Sequence, residues 1–132
     1  AWSVGCVLAE VALGVPLLPG ESEFNQIART VAMLGPPPRA LIQRSRRGDH
    51  FFNVATHGSS GPMLITARSA AEPELVRYLP YTELSPLLRH VLLNYEQTER
   101  QTLLELLCGL LRWDPEYRWG GEFGLSRLWE QM

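Results

Sequence analysis

Few side chains in this chain could do chemistry. All 12 basic residues are Arg, because the sequence contains no Lys, and its aspartates are Asp49 and Asp114 alone. The three histidines are scattered, without a partner at the spacing of metal ligands, so we predict no metal site. Reactions that depend on a Lys, or on several well-placed aspartates, are therefore excluded for the chain by itself.

The two cysteines, Cys6 and Cys108, lie inside apolar runs of the sequence. This placement fits reduced, buried thiols better than a disulfide framework. We therefore predict two inert thiols in an intracellular protein, located in the cytoplasm, the nucleus or both.

Composition indicates a soluble globular domain, or part of one. The chain has 132 residues, of which 45% are hydrophobic and 20% are charged. A formal net charge of -2 gives no general attraction to nucleic acid or to anionic lipid, so we predict neither as a partner. The apolar run at Ala1–Leu18 is too short for a membrane span, carries Glu10 and lacks a basic flank. The first residue is Ala rather than Met, and the apolar run begins there. We therefore expect a chain that begins inside a domain.

Apolar spacing predicts two helices in the first part of the chain. Residues Trp2–Leu13 are apolar nearly all round, which is typical of a helix buried in the middle of a domain. Ser22 can cap a second helix, whose apolar positions follow helical spacing. Gly35 and the three prolines after it should end that helix.

From about Arg39 to Tyr81 the periodicity fades, and the composition favours an exposed, irregular and mobile insertion. A loop of this length is normal only as a functional insert. We predict one short strand within it, at Met63–Thr66. Arg44, Arg46 and Arg47 could form a docking or nuclear-import patch, but a solvated loop face is favoured because three Arg are fewer than such patches usually carry.

Helical patterns return in the last third of the chain, at Leu84–Leu93 and again from Thr98. Thr98 opens a capping-box pattern ahead of leucines at helical spacing. Trp113-Asp114-Pro115 should break this helix, and a last short helix is predicted at Phe123–Gln131. No stretch reads as a βαβ unit, so the predicted fold class is mainly α.

Several motifs resemble parts of the C-terminal lobe of eukaryotic protein kinases. Trp2–Glu10, with the following Gly14–Gly20, resembles the central helix of that lobe and the turn after it. Leu34-Gly35-Pro36-Pro37 resembles the junction that opens the insert of the CMGC group, which contains the cyclin-dependent, MAP, glycogen-synthase and DYRK kinases. Leu110–Trp119 resembles the Leu-x-x-Asp-Pro-x-x-Arg motif near the end of kinase domains. The motifs occur in the right order, so the chain is identified as similar to this group.

Within the group, Ser22–Gln26 resembles the corresponding stretch of the DYRK family. Further stretches look closest to its Yak branch, namely Tyr78-Leu79-Pro80, Leu93-Asn94-Tyr95 and Arg118-Trp119. The chain departs from the family at Gly120-Gly121 and Gly124–Trp129, where Thr-Pro and a later Ala-Leu-x-His-Pro-Phe are usual. We therefore expect the last helix to begin after the two glycines, with a docking that the family pattern does not predict.

The resemblance implies a fold that is the helical C-terminal-lobe portion of a protein kinase, with a long irregular insert. Residues 1–132 would be a partial kinase domain, and residues 36–82 the group-specific insert within it. It also implies structural roles for Trp2, Gly5, Asp114 and Arg118.

Arg118 resembles the kinase Arg that forms a buried ion pair with the Glu at the end of the activation segment. That Glu has no counterpart in this chain, and a buried charge without a partner typically costs several kcal/mol. We therefore expect Arg118 to be unpaired, unless it is simply an exposed Arg after a turn.

Glu10 is the one predicted substrate-binding residue. By resemblance, an acidic residue at this place can face the peptide groove and pair with an Arg upstream of the phosphorylated Ser or Thr. The alternative is a helix Glu that is exposed at one edge or satisfied by a local Arg.

The resemblance implies that the intact protein is a Ser/Thr or dual-specificity kinase that uses ATP and Mg²⁺ and acts on protein substrates. This chain offers no catalytic residue, because the phosphate-binding Gly-rich loop, the strand Lys and the catalytic and metal-binding Asp are all missing. We expect it to bind no ATP and to be inactive alone. Its packing partner would be the missing upstream kinase portion, and a half-domain should expose the apolar patch where that portion docks. The alternative function is a catalytically inactive, kinase-derived helical module that binds proteins.

Overall fold

A computed structural model of the protein describes residues 1–53, 63–64, 83–93 and 95–120. The chain divides into two compact units. The first unit comprises residues 1–17 and 83–132, and the second comprises residues 18–82. The described residues are mostly helical, which confirms the predicted fold class.

The first unit contains three described helices: α1 (Trp2–Leu13), α5 (Leu84–Val91) and α6 (Gln97–Leu110). The second unit contains α2 (Glu23–Leu34), α3 (Arg39–Arg44), α4 (Gly48–Phe51) and a pair of short strands, β1 (Phe52–Asn53) and β2 (Met63–Leu64). The strands are antiparallel, with Phe52 opposite Leu64. The predicted helices at α1, α2 and α5 are confirmed, as is the strand over the two residues of it that the structure describes.

The core of the first unit lies between α5 and α6. Leu87 and Leu88 of α5 and Leu107 of α6 are almost completely buried, as expected for leucines at helical spacing on facing helices. α1 packs against the end of α6 through Gly5. A Cβ atom at Gly5 would lie 2.8 Å from Leu111 Cδ2 and 3.0 Å from Leu110 Cβ, so only glycine allows this approach without displacement.

The burial predicted for α1 is wrong. Only Gly5 and Ala9 of this helix are buried, whereas Val4, Val7 and Val11 are 54%, 59% and 76% exposed. These valines recur at helical spacing and form one face, which we call the α1 outer face. The described residues cover only the side of the helix that faces α6.

The start predicted for α6 is also corrected. The helix begins at Gln97 with Glu96 as its N-cap, so that Thr98 is its second residue rather than its cap. The backbone N–H of Glu96 donates to Glu99 Oε2 at 3.2 Å, the Glu half of a capping box. The predicted cap lies two residues too late because Thr is a more usual cap than Glu.

In the second unit, α2 begins as predicted. The Ser22 hydroxyl accepts a hydrogen bond from the Asn25 backbone N–H at 3.1 Å, and the helix ends before Gly35. Residues 39–53 differ from the sequence-based expectation, because α3, α4 and β1 lie where we expected an irregular, exposed loop.

These short elements bury a small apolar cluster. Ile42, Phe51 and Phe52 are buried, and three side chains of α2 pack on them, namely Phe24, Ile27 and Val31. The Phe24 and Phe51 rings lie 4.9 Å apart in a tilted arrangement that is favourable for aromatic pairs. The sequence conceals this cluster because each element is too short to show a period.

The helix break predicted around Asp114 is confirmed, because α6 ends at Leu110 and a turn follows. None of the described helices is long and apolar enough to cross a membrane. The last helix at Phe123–Gln131, most of the insert and the end of the strand at Thr66 lie outside the described residues.

Candidate functional site

Trp2 and Arg118, for which the resemblance implies structural roles, meet Trp113 in the first unit. The Trp2 and Trp113 rings lie 6.1 Å apart at 44°, and the Arg118 guanidinium carbon lies 5.2 Å from the centre of the Trp2 ring. A planar guanidinium stacks well on a Trp face. We call this group the Trp–Arg cluster. It joins the start of α1 to the turn that follows α6, two segments from opposite ends of the sequence.

Arg118 also holds that turn through hydrogen bonds. Its Nε donates to the Arg112 carbonyl oxygen at 2.8 Å, and its Nη2 donates to the Trp113 carbonyl oxygen at 3.0 Å. Carbonyls just past a helix end lack an intrahelical partner, and a nearby Arg can satisfy them. The guanidinium is therefore hydrogen-bonded within its own turn, and the ion pair with a Glu outside this chain stays a prediction.

Asp114 stabilises the same turn through a hydrogen bond to the backbone two residues later. Its Oδ1 accepts a hydrogen bond from the Glu116 backbone N–H at 3.1 Å, which is the local bond that makes Asp a frequent turn residue. The Tyr117 carbonyl oxygen accepts a longer bond, 3.3 Å, from Arg112 Nη1. The turn is thus fixed by side chains before and after the Asp-Pro step.

Trp119 folds back onto α6, a contact that the sequence pattern did not lead us to expect. Its backbone N–H donates to the Gly109 carbonyl oxygen at 2.9 Å, and a Cβ atom at Gly109 would overlap the buried Trp119 ring. Gly109 itself was a signal for this contact in the sequence. A Gly inside a helix lowers helix stability by about 1 kcal/mol relative to Ala, so its presence often marks a close approach of another segment.

Glu10 lies exposed on α1, one residue before Val11 of the outer face. Among the described residues, no Arg makes an ion pair with its carboxylate. Glu10 and the α1 outer face share a solvent-facing region, whereas Gly5 and Ala9 face α6. Glu10 is thus separate in position from the Trp–Arg cluster, and its role in substrate binding stays a prediction.

The cysteines are free, as expected, but the predicted burial is wrong for Cys108, which is exposed, while Cys6 is half-buried. Desolvation raises the thiol pKa of both, and for Cys108 the nearby Arg112 opposes that rise. A raised pKa lowers the thiolate fraction, so neither thiol is activated as a nucleophile. Within the described ranges, no group of His, Cys, Asp and Glu is placed to hold a metal ion.

Of the three arginines predicted to form a solvated face, Arg47 has a structural partner. Its guanidinium makes two hydrogen bonds to the Glu23 carboxylate, at 2.8 and 2.7 Å, and lies 5.3 Å from the centre of the Phe51 ring. The hydrogen bond and the charge of Arg47 lower the pKa of Glu23 below its ordinary value. Arg46 and Arg44, the last residue of α3, are exposed, which agrees with the predicted solvated face although Arg44 is not in a loop.

No family model matches the chain, but curated protein kinases do. It is 34% identical over 117 residues to the serine/threonine-protein kinase ppk5 of Schizosaccharomyces pombe, a match that covers 89% of this chain and 12% of the relative. It is 28% identical over 140 residues to the dual specificity protein kinase YAK1 of Saccharomyces cerevisiae. It is 48% identical over 77 residues to human dual specificity tyrosine-phosphorylation-regulated kinase 3, a match that covers 52% of this chain and 13% of the relative. The chain belongs to the DYRK- and Yak1-type kinase family.

The matches to ppk5 and YAK1 cover most of this chain but a small part of each relative. The chain spans only 12% and 17% of the lengths of ppk5 and YAK1, so each of these kinases contains far more than the matched segment. In both relatives the match covers 89% of this chain. The similarity therefore extends well beyond the individual motifs.

Proposed function

We propose that this chain forms part of the helical C-terminal lobe of a Ser/Thr or dual-specificity protein kinase. In its intact form that kinase transfers the γ-phosphate of ATP, with Mg²⁺, to hydroxyl groups of protein substrates. The observation that carries the proposal is the match to ppk5 over 89% of the chain. The Trp–Arg cluster supports it, because residues of the first and last kinase-like motifs lie in contact.

The chain supplies scaffold and substrate surface rather than chemistry. Phosphoryl transfer depends on groups that position phosphates and metal ions and offset the developing charge. The sequence has no Lys, and Asp114 accepts a bond within its own turn. We propose that the isolated chain is inactive; micromolar binding of ATP-Mg²⁺ in a calorimetric titration would overturn this.

The partner of the α1 outer face is, in this proposal, the remainder of a kinase domain. Val4, Val7 and Val11 are more than half exposed along one helix, and covering apolar surface contributes roughly 25 cal/mol per Å². The central position that the kinase resemblance gives this helix requires cover on more than one side. The described residues leave that cover to be supplied by another part of the protein.

Glu10 borders the same region, and we propose that it contacts the substrate. An exposed carboxylate without an internal partner can form a charge-assisted pair with an Arg of the substrate, upstream of the phosphorylated residue. Changing Glu10→Ala in the intact kinase should weaken the preference for such peptides. Unchanged selectivity across a peptide array would remove Glu10 from the substrate site.

A chimeric kinase tests the main proposal. The matched segment of ppk5 is replaced by this chain, and ATP-dependent phosphorylation of a protein substrate is measured. We expect activity above that of a ppk5 variant from which the segment is deleted. Val7→Asp should abolish it by burying an unpaired charge, whereas Thr98→Asp, on the exposed start of α6, should not. Equal effects of both substitutions would contradict the proposed cover of the α1 outer face.

A second candidate function is a catalytically inactive, kinase-derived module that binds proteins through the α1 outer face. The exposure of this face in the chain by itself favours it. The coding sequence upstream of Ala1 separates the two. An Asp directly before Ala1, preceded by catalytic-loop and metal-binding motifs, supports the kinase, whereas an initiator Met or a stop codon supports the module.

A further inference from the structure

A pocket of about 240 Å³ lies between α5 and α6 in the first unit. Its walls are formed by residues from the end of α5 and the first half of α6. They are Leu88, Arg89, Gln97, Arg100, Gln101 and Leu104. The α6 residues recur at helical spacing, so one face of this helix supplies one wall. None of these side chains belongs to the Trp–Arg cluster or the α1 outer face.

Two guanidinium groups border this pocket. Arg89 stands in the last turn of α5, and Arg100 in the first half of α6. The Nε atom of Arg100 is buried and makes no hydrogen bond. Buried donors are nearly always satisfied, so one without a partner indicates a missing acceptor. Among the described residues, no carboxylate pairs with Arg89 or Arg100.

Two of the residues that line the pocket are leucines. Leu88 is almost completely buried and Leu104 is half-buried. A charge-assisted hydrogen bond is stronger next to such a surface than in open water, because the local dielectric constant is lower. A pocket that is lined by two arginines and two leucines is therefore suited to an anion.

Gln97 and Gln101 add neutral hydrogen-bonding groups to the lining. Gln101 Nε2 already donates to Glu105 Oε1 at 2.7 Å, which places one carboxylate next to a lining residue. The N-terminus of α6 contributes little, because the Glu99 carboxylate already accepts from the Glu96 N–H. The attraction for an anion must therefore come from the arginine side chains.

We propose that this pocket binds a phosphoryl group through Arg89 and Arg100. Guanidinium groups bind phosphate oxygens through paired N–H donors, and a phosphate monoester carries close to two negative charges at neutral pH. The volume is below the roughly 300–1,000 Å³ of sites for drug-sized ligands, which suits a single small group. The phosphoryl group is carried by a phosphorylated side chain or supplied as free phosphate. The proposal is independent of kinase activity.

Calorimetry on the 132-residue chain tests this with a short peptide that contains one phosphoserine, its unphosphorylated twin and inorganic phosphate. We expect the phosphopeptide to bind and its twin not to bind. Competition by inorganic phosphate at concentrations similar to the peptide would identify free phosphate as sufficient. Competition by inorganic phosphate only at much higher concentrations would identify a phosphorylated side chain as the ligand. Equal binding of both peptides would overturn the proposal.

Matched charge removals locate the site. Arg100→Gln and Arg89→Gln should each weaken binding about tenfold, the loss expected for one charge-assisted hydrogen bond. Arg46→Gln removes the same charge from an exposed position outside the pocket and should leave the affinity within about twofold. An equal loss in all three variants would show attraction by net charge alone and refute the site.

Thermal melting of a further variant tests whether a loss of phosphate binding could come from a loss of folding. Arg100→Met removes the unsatisfied Nε donor while keeping an apolar stem against Leu104. Without phosphate, this variant should melt no lower than the parent chain, because no hydrogen bond is lost. Added phosphate should raise the melting temperature of the parent chain only. The same rise in both proteins would indicate a general salt effect and contradict the proposal.

Discussion

The α1 helix and the segment from Arg39 to Asn53 differ in burial, and the difference is the opposite of the one that their sequences predict. α1 is almost wholly apolar, yet it buries only Gly5 and Ala9 and leaves three valines more than half exposed. The later segment is rich in Arg and has no clear period, yet it buries Ile42 with two phenylalanines. Apolar content thus measures how much a segment gains from burial, whereas the available neighbours decide whether it is buried.

The difference has a functional meaning under the proposed kinase assignment. The described part of the segment after α2 forms a small core with side chains of its own unit. α1 is buried only where it faces α6, and its valines are exposed on another face. In the proposed kinase, the missing portion of the domain would cover that face, beside which Glu10 is exposed.

The largest effect should come from Phe51→Ala in the second unit. Removing a buried aromatic side chain leaves a cavity and typically lowers the free energy of unfolding by about 3 kcal/mol or more. Urea denaturation of the chain measures the change. Mild substitutions lower the free energy of unfolding by less than about 1 kcal/mol. A loss in that range would show that the cluster of Ile42, Phe51 and Phe52 is not a core, and would contradict the contrast with α1.

Gly5→Val tests the one covered side of α1. The added side chain would press on Leu110 and Leu111, and we expect a loss of about 2 kcal/mol from overpacking. Ser3→Val, at an exposed position of the same helix, is the control and should change stability by less than about 0.5 kcal/mol. Similar melting temperatures for the two variants would show that α1 does not pack closely on α6.

Val11→Ala sharpens the contrast between α1 and α6. Because Val11 is 76% exposed, we expect its truncation to change the free energy of unfolding by less than about 0.5 kcal/mol. Leu107→Ala, on the buried face of α6, should cost about 3 kcal/mol in the same denaturation assay. If Val11→Ala cost as much as Leu107→Ala, the α1 outer face would be covered within the chain.

The smallest effect concerns the ion pair between Glu23 and Arg47. Because Arg47 lowers the pKa of Glu23, the pair stabilises the folded chain above the pKa of an unfolded Glu. This contribution is lost as the pH falls through the lower, folded value. An NMR titration should show the pKa of Glu23 rising in Arg47→Gln and unchanged in Arg46→Gln. The same Glu23 pKa in all three proteins would show that the pair does not persist in solution.

Helices and their ends could largely be predicted from the sequence. The limits of α1, the Ser22 cap and the break before Asp114 follow from propensities and side-chain bonds within a few residues. The kinase resemblance was also available, since its motifs are local in sequence. The N-cap predicted for α6 was wrong because two candidate caps, Glu96 and Thr98, lie two residues apart, and the helix uses Glu96.

Only the tertiary structure decided which surfaces are covered and which charges are satisfied. Arg118 finds carbonyl acceptors and the Trp2 ring because the turn after α6 returns to the start of α1, a contact between opposite ends of the chain. The pocket beside Arg100 likewise depends on the juxtaposition of α5 and α6. Local sequence determines backbone conformation through short-range forces, whereas burial and charge pairing depend on residues that only folding brings together.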